Sequence, residues 1–299
     1  MYKLKKLDIY LIIVVYRPNL NLLNLVISKH KLNFSNIIII NNDPEISLDS
    51  FKSSKASIIN NSDNIGLASA INIGIFEAKK QGAEMVALFD QDTLVSSDFM
   101  QKMLIHINSY QPDKKPALFS PVFFNHVTDD YGSIINFKLF RLIRSKPDKL
   151  KTVTFSQYVI TSGSFIPMSV LDDVGLMREE LFIDFVDIEW CLRARAKGYE
   201  IVSFPQVEIA HHLGDSSVSF MGTHYPIHSP LRMYYYFRNA MYLYRLKGID
   251  WNWRAVDAAR NLFRFLFYML FVKNRSTYFK YIIKGYYHGF IKKMGKLEE

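Results

Sequence analysis

The chain has a single cysteine, Cys191, among its 299 residues. That excludes an intramolecular disulfide and a cysteine-rich zinc module, and it fits a reducing compartment. The sequence also has little that suits crossing a bilayer. An apolar run, Ile9–Tyr16, follows a basic start (Lys3, Lys5, Lys6), but it is too short to span, and no small-residue cleavage site follows it. Leu262–Val272 is short too and carries Arg264, which suits lying on a membrane rather than crossing one. There is no Gly-Lys-Ser/Thr phosphate loop and no Gly-x-Gly-x-x-Gly spacing, which argues against an NTPase and a dinucleotide loop. Internal repeats and low-complexity stretches are missing. Hydrophobic residues at 49% and charged residues at 22% exclude general disorder and leave room for a real core.

What is present is unevenly placed. Residues 228–299 hold fourteen Lys and Arg against four Asp and Glu, a net +10, whereas the first 227 residues carry −1. The same 72 residues contain 19 of the 44 aromatics. An anionic partner is expected there, either a membrane surface or a nucleic acid.

Along the first third, β-branched runs alternate with helical spacing. Strands are predicted at Ile9–Tyr16, Ile37–Ile40, Ala56–Asn60 and Met85–Phe89, with helices at Asn21–His30 and Leu67–Gln81. The alternation predicts an α/β fold with a mostly parallel sheet flanked by helices, whose ligands bind at the carboxyl ends of the strands. The polar clusters Tyr16-Arg17-Pro18, Asn41-Asn42, Asn60-Asn61 and Asp90-Gln91-Asp92 sit at those ends. Residues 125–153 show no clear period and read as a loop or flap. Val159–Pro167 reads as a strand, Val170–Val174 as a short helix, Ile188–Lys197 as a helix and Ile201–Phe204 as a strand. From about Tyr225 the pattern is helical. Within 254–271 the apolar positions form one stripe, while Arg254, Asp257, Arg260, Asn261 and Arg264 take the other face. The division expected is a catalytic domain over 1–225, with 1–100 for the nucleotide and 101–225 for acceptor and catalysis, followed by a C-terminal helical region over 226–299.

Four constellations are able to carry chemistry. Asp90 and Asp92, one residue apart at a strand end, suit a hard divalent cation such as Mg²⁺ or Mn²⁺; the plainer alternative is a solvated turn. Asn64-Ile65-Gly66-Leu67-Ala68 lies at a loop-to-helix junction, where free N–H groups address an anion or merely cap the helix. Phe182–Trp190 sets Asp184, Asp187 and Glu189 among aromatics, where burial raises an acid's pKa and suits it as a general base. The alternative is helix capping by acids. His211 and His212 precede Leu213-Gly214-Asp215, and one of them is a candidate metal ligand. Further on, Arg232, Arg238 and Asn239 either clamp phosphates or form a helix face.

Taken in order, these pieces carry a resemblance. Val14–Pro18, Asn41-Asn42, Asn64–Ala68 with Asn72-Ile73-Gly74, Leu88–Thr93, Thr161–Ser164, Phe182–Trp190, His211–Asp215 and Arg238-Asn239 together resemble glycosyltransferase family 2, inverting nucleotide-sugar transferases of the GT-A fold. The Asp-Gln-Asp and Asp-x-Glu-Trp forms are similar to its bacterial rhamnosyltransferases. The resemblance spans roughly residues 8–240. It implies that Tyr16, Arg17 and Pro18 line the nucleoside pocket, with Asn42 where the family often has an Asp. It places Asn64, Gly66, Ala68, Asp90, Gln91 and Arg238 at the donor, Asp92 and His211 on the metal, and Asp187 as the base. His212 stays open as an alternative ligand. Gly163, Ser164, Asp184, Glu189 and Trp190 fall on the acceptor side.

The function implied is inverting transfer of L-rhamnose from dTDP-L-rhamnose to a hydroxyl of a lipid-linked surface polysaccharide precursor. A UDP-hexose donor is the alternative within the same fold. A nucleic-acid-binding protein is the alternative of another class; against it, the amphipathic stripe wants lipid or a packing partner, and the carboxylate clusters would be idle. The C-terminal region is expected to hold the enzyme on the cytoplasmic face of the membrane, with packing on the catalytic domain or a homodimer contact as the competing use of the stripe.

Overall fold

The computed structural model describes residues 8–111, 114–125, 129–211, 217–220 and 223–298, with the backbone alone over 211–226. The elements in chain order are β1 (Ile9–Val15), α1 (Leu20–Asn33), β2 (Asn36–Asn41), β3 (Ala56–Asn60), α2 (Leu67–Lys80), β4 (Met85–Asp90), β5 (Thr93–Leu94), α3 (Phe99–Ser109) and β6 (Pro116–Asn125). Next come β7 (Asp130–Tyr131), β8 (Ile134–Lys138), β9 (Arg141–Ser145), β10 (Thr154–Ser156), β11 (Ser164–Pro167), α4 (Met168–Val174), α5 (Val186–Ala196) and β12 (Glu200–His211). β13 (Ser217–Phe220), β14 (Thr223–Pro226), α6 (Pro230–Leu243), α7 (Trp251–Phe271) and α8 (Arg275–Ile291) complete the chain.

The main sheet runs in the order β10-β12-β6-β11-β4-β1-β2-β3. β3, β2, β1 and β4 are parallel neighbours, as are β6 and β12, while β11 lies antiparallel between β4 and β6. The α/β sheet flanked by helices is the expected fold class. Its central strands are covered on both faces, which is why β1, β2 and β4 are nearly continuous apolar runs rather than alternating ones. Asn19 caps α1, its side-chain oxygen accepting from the N–H groups of Asn21 and Leu22.

The elements of the first third lie within three residues of their expected bounds. Two expectations are corrected. The stretch read as an irregular flap over 125–153 contains β7 and a β8–β9 hairpin, whose residues are largely exposed and carry no clean alternation. The catalytic-region helix α5 starts at Val186, so Asp187 and Glu189 lie inside its first turn rather than before it.

α6 and α8 pack at very close range. A Cβ on Gly285 would lie 2.5 Å from the Tyr234 carbonyl oxygen, and one on Gly289 2.3 Å from that of Arg238. This small-xxx-small spacing lets two backbones touch. α7 buries the polar residues Asp257 and Asn261 beside Trp253, Val256, Phe267 and Tyr268, while Leu262, Phe263, Leu266, Leu270 and Phe271 are 47–60% exposed. The buried face is satisfied internally. Tyr244 donates to Asp257 (2.7 Å), as does Asn261 (3.0 Å), and Arg264 donates to Asn261 (2.8 Å).

Because the α6–α8 contact is backbone on backbone, Gly289→Ala is expected to lower stability by roughly 1–3 kcal/mol as the helices are pushed apart. Denaturant unfolding of wild type and variant measures it; an unchanged midpoint would mean that the helices slide without cost.

Candidate active site at the carboxyl ends of the strands

The loops after β1, β2, β3 and β4 are tied together by side-chain amides. Gln91 accepts from the Tyr16 N–H (2.9 Å) and donates to the Tyr16 carbonyl (3.0 Å), locking the end of β4 to the end of β1. Arg17, at φ +47°, donates its N–H to the buried Asp43 carboxylate (3.1 Å), and Pro18 ends β1. Asn42 is a buried hub: its oxygen accepts from Asn61 (3.1 Å) and from the Ile65 N–H (3.2 Å), and its NH₂ donates to Asn64 (2.9 Å). Only an amide can accept and donate at once in this way, which explains an Asn rather than an Asp here. A cavity of about 360 Å³ opens at these ends, lined among others by Tyr16, Arg17, Asp43, Asp63 and Asn64. Asp43 enters it where Asn42 was expected.

Gly66 adopts φ +87°, and a Cβ there would sit 2.5 Å from the Phe182 ring. The Leu67 N–H, first of α2, donates to the Phe182 carbonyl (2.6 Å). One of the helix-start N–H groups expected to meet an anion is therefore engaged by the protein itself, and Ala68 is buried in the core. Gly66 is required for the close approach of residue 182.

Asp90 and Asp92 are half-buried at the end of β4. Ser162 supports them from behind: its Oγ accepts the Asp90 N–H (3.0 Å) and bonds the Thr93 hydroxyl (2.8 Å). β5 pairs with β12 so that His211 stands opposite Thr93, one residue from Asp92. The His211 side chain and all of His212 lie outside the described residues. Among the described residues no group of three His, Cys, Asp or Glu is assembled for a metal. Asp90 and Asp92 nevertheless offer hard oxygen donors suited to Mg²⁺ or Mn²⁺, and the backbone register brings His211 alongside.

Asp187 is the next neighbour. The N–H groups of Thr161 (3.1 Å) and Ile188 (2.8 Å) hold its carboxylate. Burial pushes its pKa up from 3.8 to about 6, with those hydrogen bonds opposing the shift and the Asp184 charge adding to it. Thr161 and Ser162 thus hold Asp187 and Asp90 from adjacent positions. The turn that follows them has Gly163 at φ +83° with its N–H on the Leu88 carbonyl (2.8 Å), while Ser164 Oγ donates to Ile160 (3.0 Å). Asp184 pairs with Arg232 (3.2 Å).

Besides Ala68, three expected site residues are not brought to this cleft. Glu189 is 1% exposed and bound by Arg178 (2.7 Å) and Arg193 (2.9 Å). Trp190 is a core residue donating to the Gly175 carbonyl (2.8 Å). Arg238 is fully buried, donating to the carbonyls of Leu181 (2.9 Å) and Gly295 and to Asn239 (3.0 Å). Asp43 and His30 were not singled out from the sequence, and Ser162 was quoted only within the Thr161–Ser164 motif, with no role of its own. The pattern hid Asp43 in a turn signal and His30 in an amphipathic helix. His30 supports the Thr93 carbonyl through Nε2 (3.2 Å), and burial lowers its pKa to about 4, so the ring is neutral.

The glycosyl transferase family 2 model matches residues 11–172, and the chain belongs to that family. A relative among characterised proteins, the dTDP-rhamnosyl transferase RfbF of Shigella flexneri, is 33% identical over 277 residues, covering 91% of this chain and 92% of that one. Solved structures share the fold. S. aureus TarS 1-349 in complex with UDP-GlcNAc superposes with TM-score 0.55 at 12% identity, over 94% of this chain and 81% of that one. GalNAc-T7 with UDP, GalNAc and Mn²⁺ gives 0.56 at 16%, over 87% of this chain and 55% of that one. The protein is a glycosyltransferase.

The raised pKa of Asp187 has a consequence for stability. The folded state binds that proton more tightly than the unfolded chain does, so stability falls as pH rises from about 4 through about 6, and the penalty is complete above. Asp187→Asn is expected to melt higher than wild type at pH 8 and near wild type at pH 4. Thermal melts across this range check it; a parallel offset at every pH would deny the shift.

Proposed function

We propose that the protein transfers L-rhamnose from dTDP-L-rhamnose, with inversion, to a hydroxyl of a lipid-linked surface polysaccharide precursor. The observation that carries this is the Asp187 carboxylate, held beside the Asp90–Asp92 strand end by consecutive residues, in a chain one-third identical to a dTDP-rhamnosyl transferase over nearly its whole length. The donor's nucleoside occupies the cavity at Tyr16, Arg17 and Asp43, and its diphosphate lies toward the end of β4. The acceptor hydroxyl approaches from the side of Asp187, which takes its proton as the oxygen attacks the anomeric carbon and the diphosphate leaves. One displacement inverts the configuration. Asp92, Asp90 and His211 are the residues that would hold Mg²⁺ or Mn²⁺, which supplies charge compensation for the leaving diphosphate.

The outward apolar stripe of α7 supports attachment to the cytoplasmic face of the membrane. No described helix is long and apolar enough to cross one. Exposed bulky residues at this density want lipid or a second copy of the chain, and the surrounding net charge of +10 favours an anionic lipid surface. Nucleic acid would leave the stripe in water.

A donor panel scoring nucleoside diphosphate release with and without EDTA tests the reaction. dTDP-L-rhamnose is expected to be the preferred donor, and Asp187→Asn is expected to reduce kcat about 10²–10⁴-fold with little change in donor affinity. The wild-type rate should climb with pH to a plateau above about 6 as Asp187 loses its proton. Preference for a UDP-hexose would replace the donor, and wild-type turnover in the variant would remove Asp187 as base. Asp92→Asn and His211→Ala should each weaken Mn²⁺-dependent donor binding in calorimetry; full affinity in both would remove the metal assignment. Flotation with anionic vesicles tests the membrane contact: the protein should rise with them at low salt, and pelleted dimers would assign the stripe to self-association.

A further inference from the structure

A second charged cavity lies between β9, α6 and α7. It has a volume of about 510 Å³ and is lined by Arg144 of β9, by Arg260 and Arg264 of α7, and by aromatic walls that include Tyr236, Phe263 and Phe267. None of the described residues lining it is acidic. The nearest carboxylate, Asp257, is buried one turn away, where it accepts hydrogen bonds from Tyr244 and Asn261. Arg264 stacks over the Tyr236 ring at 4.1 Å and uses one nitrogen on Asn261. Arg144 is exposed at the mouth. Asp257 partly compensates Arg260 and Arg264 from behind, and three arginines with no acid on the cavity wall still favour an anion within it.

The surroundings narrow the anion's chemistry. Beyond the cavity wall, Tyr158 interacts with Arg260 and feels the charge of Asp187. Three residues later, Thr161 holds Asp187 itself. On the outer side, Phe263 is half-exposed and continues into the bare apolar stripe of Leu266 and Leu270. A molecule filling this hollow therefore meets cations on its walls and an apolar surface at its outer end. A free nucleotide has no use for the outer end, and a plain apolar ligand has none for the arginines.

We propose that this cavity binds the phosphate or diphosphate group that joins an acceptor saccharide to its lipid. Its arginines anchor the anion, the stripe of α7 receives the apolar chain, and the sugar hydroxyl is presented to Asp187. This rests on the reading of Asp187 as the base. It separates two anion sites, the donor's at the end of β4 and the acceptor's between the β8–β9 hairpin and α7. It also gives the exposed stripe of α7 a purpose in catalysis beyond attachment.

Calorimetry with a water-soluble ten-carbon prenyl diphosphate tests the site, with inorganic pyrophosphate and anionic phospholipid vesicles as separate arms. The prenyl diphosphate should bind about tenfold more tightly than pyrophosphate, and Arg144→Glu and Arg260→Gln should each weaken it about tenfold, as expected for loss of one charge-assisted contact. Donor nucleotide binding on the same samples reports whether each variant is folded, and Arg144, being exposed, tolerates substitution best. Equal affinity for pyrophosphate would reduce the cavity to a free-anion site. Displacement of the probe by the vesicles would assign it to a phospholipid headgroup. Unchanged affinity in both variants would place the ligand elsewhere. Probe binding together with wild-type turnover in Asp187→Asn would overturn Asp187 as the base and leave the site standing; loss of turnover in that variant without probe binding by the wild type would do the reverse.

Discussion

The site depends on one buried pair of side chains, Arg238 and Asn239 of α6. Among the described residues no carboxylate pairs with the Arg238 guanidinium. It is satisfied by the carbonyls of Leu181, Glu180 and Gly295 and lies over the rings of Tyr234 and Tyr235 at 5.5 and 4.8 Å. Asn239 adds donations to Leu181 (2.9 Å), Ile183 (2.7 Å) and Asp184 (3.0 Å). These contacts hold Phe182, Asp184 and Phe185 at positive φ, a conformation that such residues keep only when their surroundings enforce it. The loop then delivers the Phe182 carbonyl to the start of α2 and Asp187 to Thr161. A buried cation with neutral partners is costly in isolation. Here its cost is offset by fixing the nucleotide loop and the Asp187 loop with one contact set.

The same economy explains why the C-terminal helices cannot be treated as an appendage. Ala240, Leu243 and Trp253 belong to the core cluster that contains Phe185 and Trp190, so α6 and the start of α7 pack directly behind Asp187. The polar face of α7 turns inward because Tyr244, Asp257, Asn261 and Arg264 satisfy one another there. Much of its apolar stripe is left outside, although Trp253, Val256, Phe267 and Tyr268 are buried. Apolar exposure of this kind runs against the roughly 25 cal/mol gained per Å² of apolar surface removed from water.

The strand-end geometry was legible in advance because it is local. Buried parallel strands must be apolar throughout, so the first polar residue after each run marks a carboxyl end, and Tyr16, Asn42, Asp90 and Asp92 were found that way. The hairpin at 134–145 was not legible, since its residues are largely exposed and carry no alternation. Glu189, Trp190 and Arg238 share motifs with residues that face the cleft, and sequence order alone does not say which side of a helix each takes.

By itself, the sequence determined the alternation of elements, the parallel sheet, the acidic strand end and the amphipathic period of α7, because each follows from the spacing of apolar residues along a short stretch. Only the tertiary structure decided which way these features point. The outward turn of the α7 stripe, the burial of Arg238, the close approach at Gly66, Gly285 and Gly289, and the gathering of Arg144 with Arg260 and Arg264 all arise between segments far apart in the chain. A pattern of polarity says that a helix has two faces. Which face is buried depends on whether distant side chains are there to satisfy the polar one.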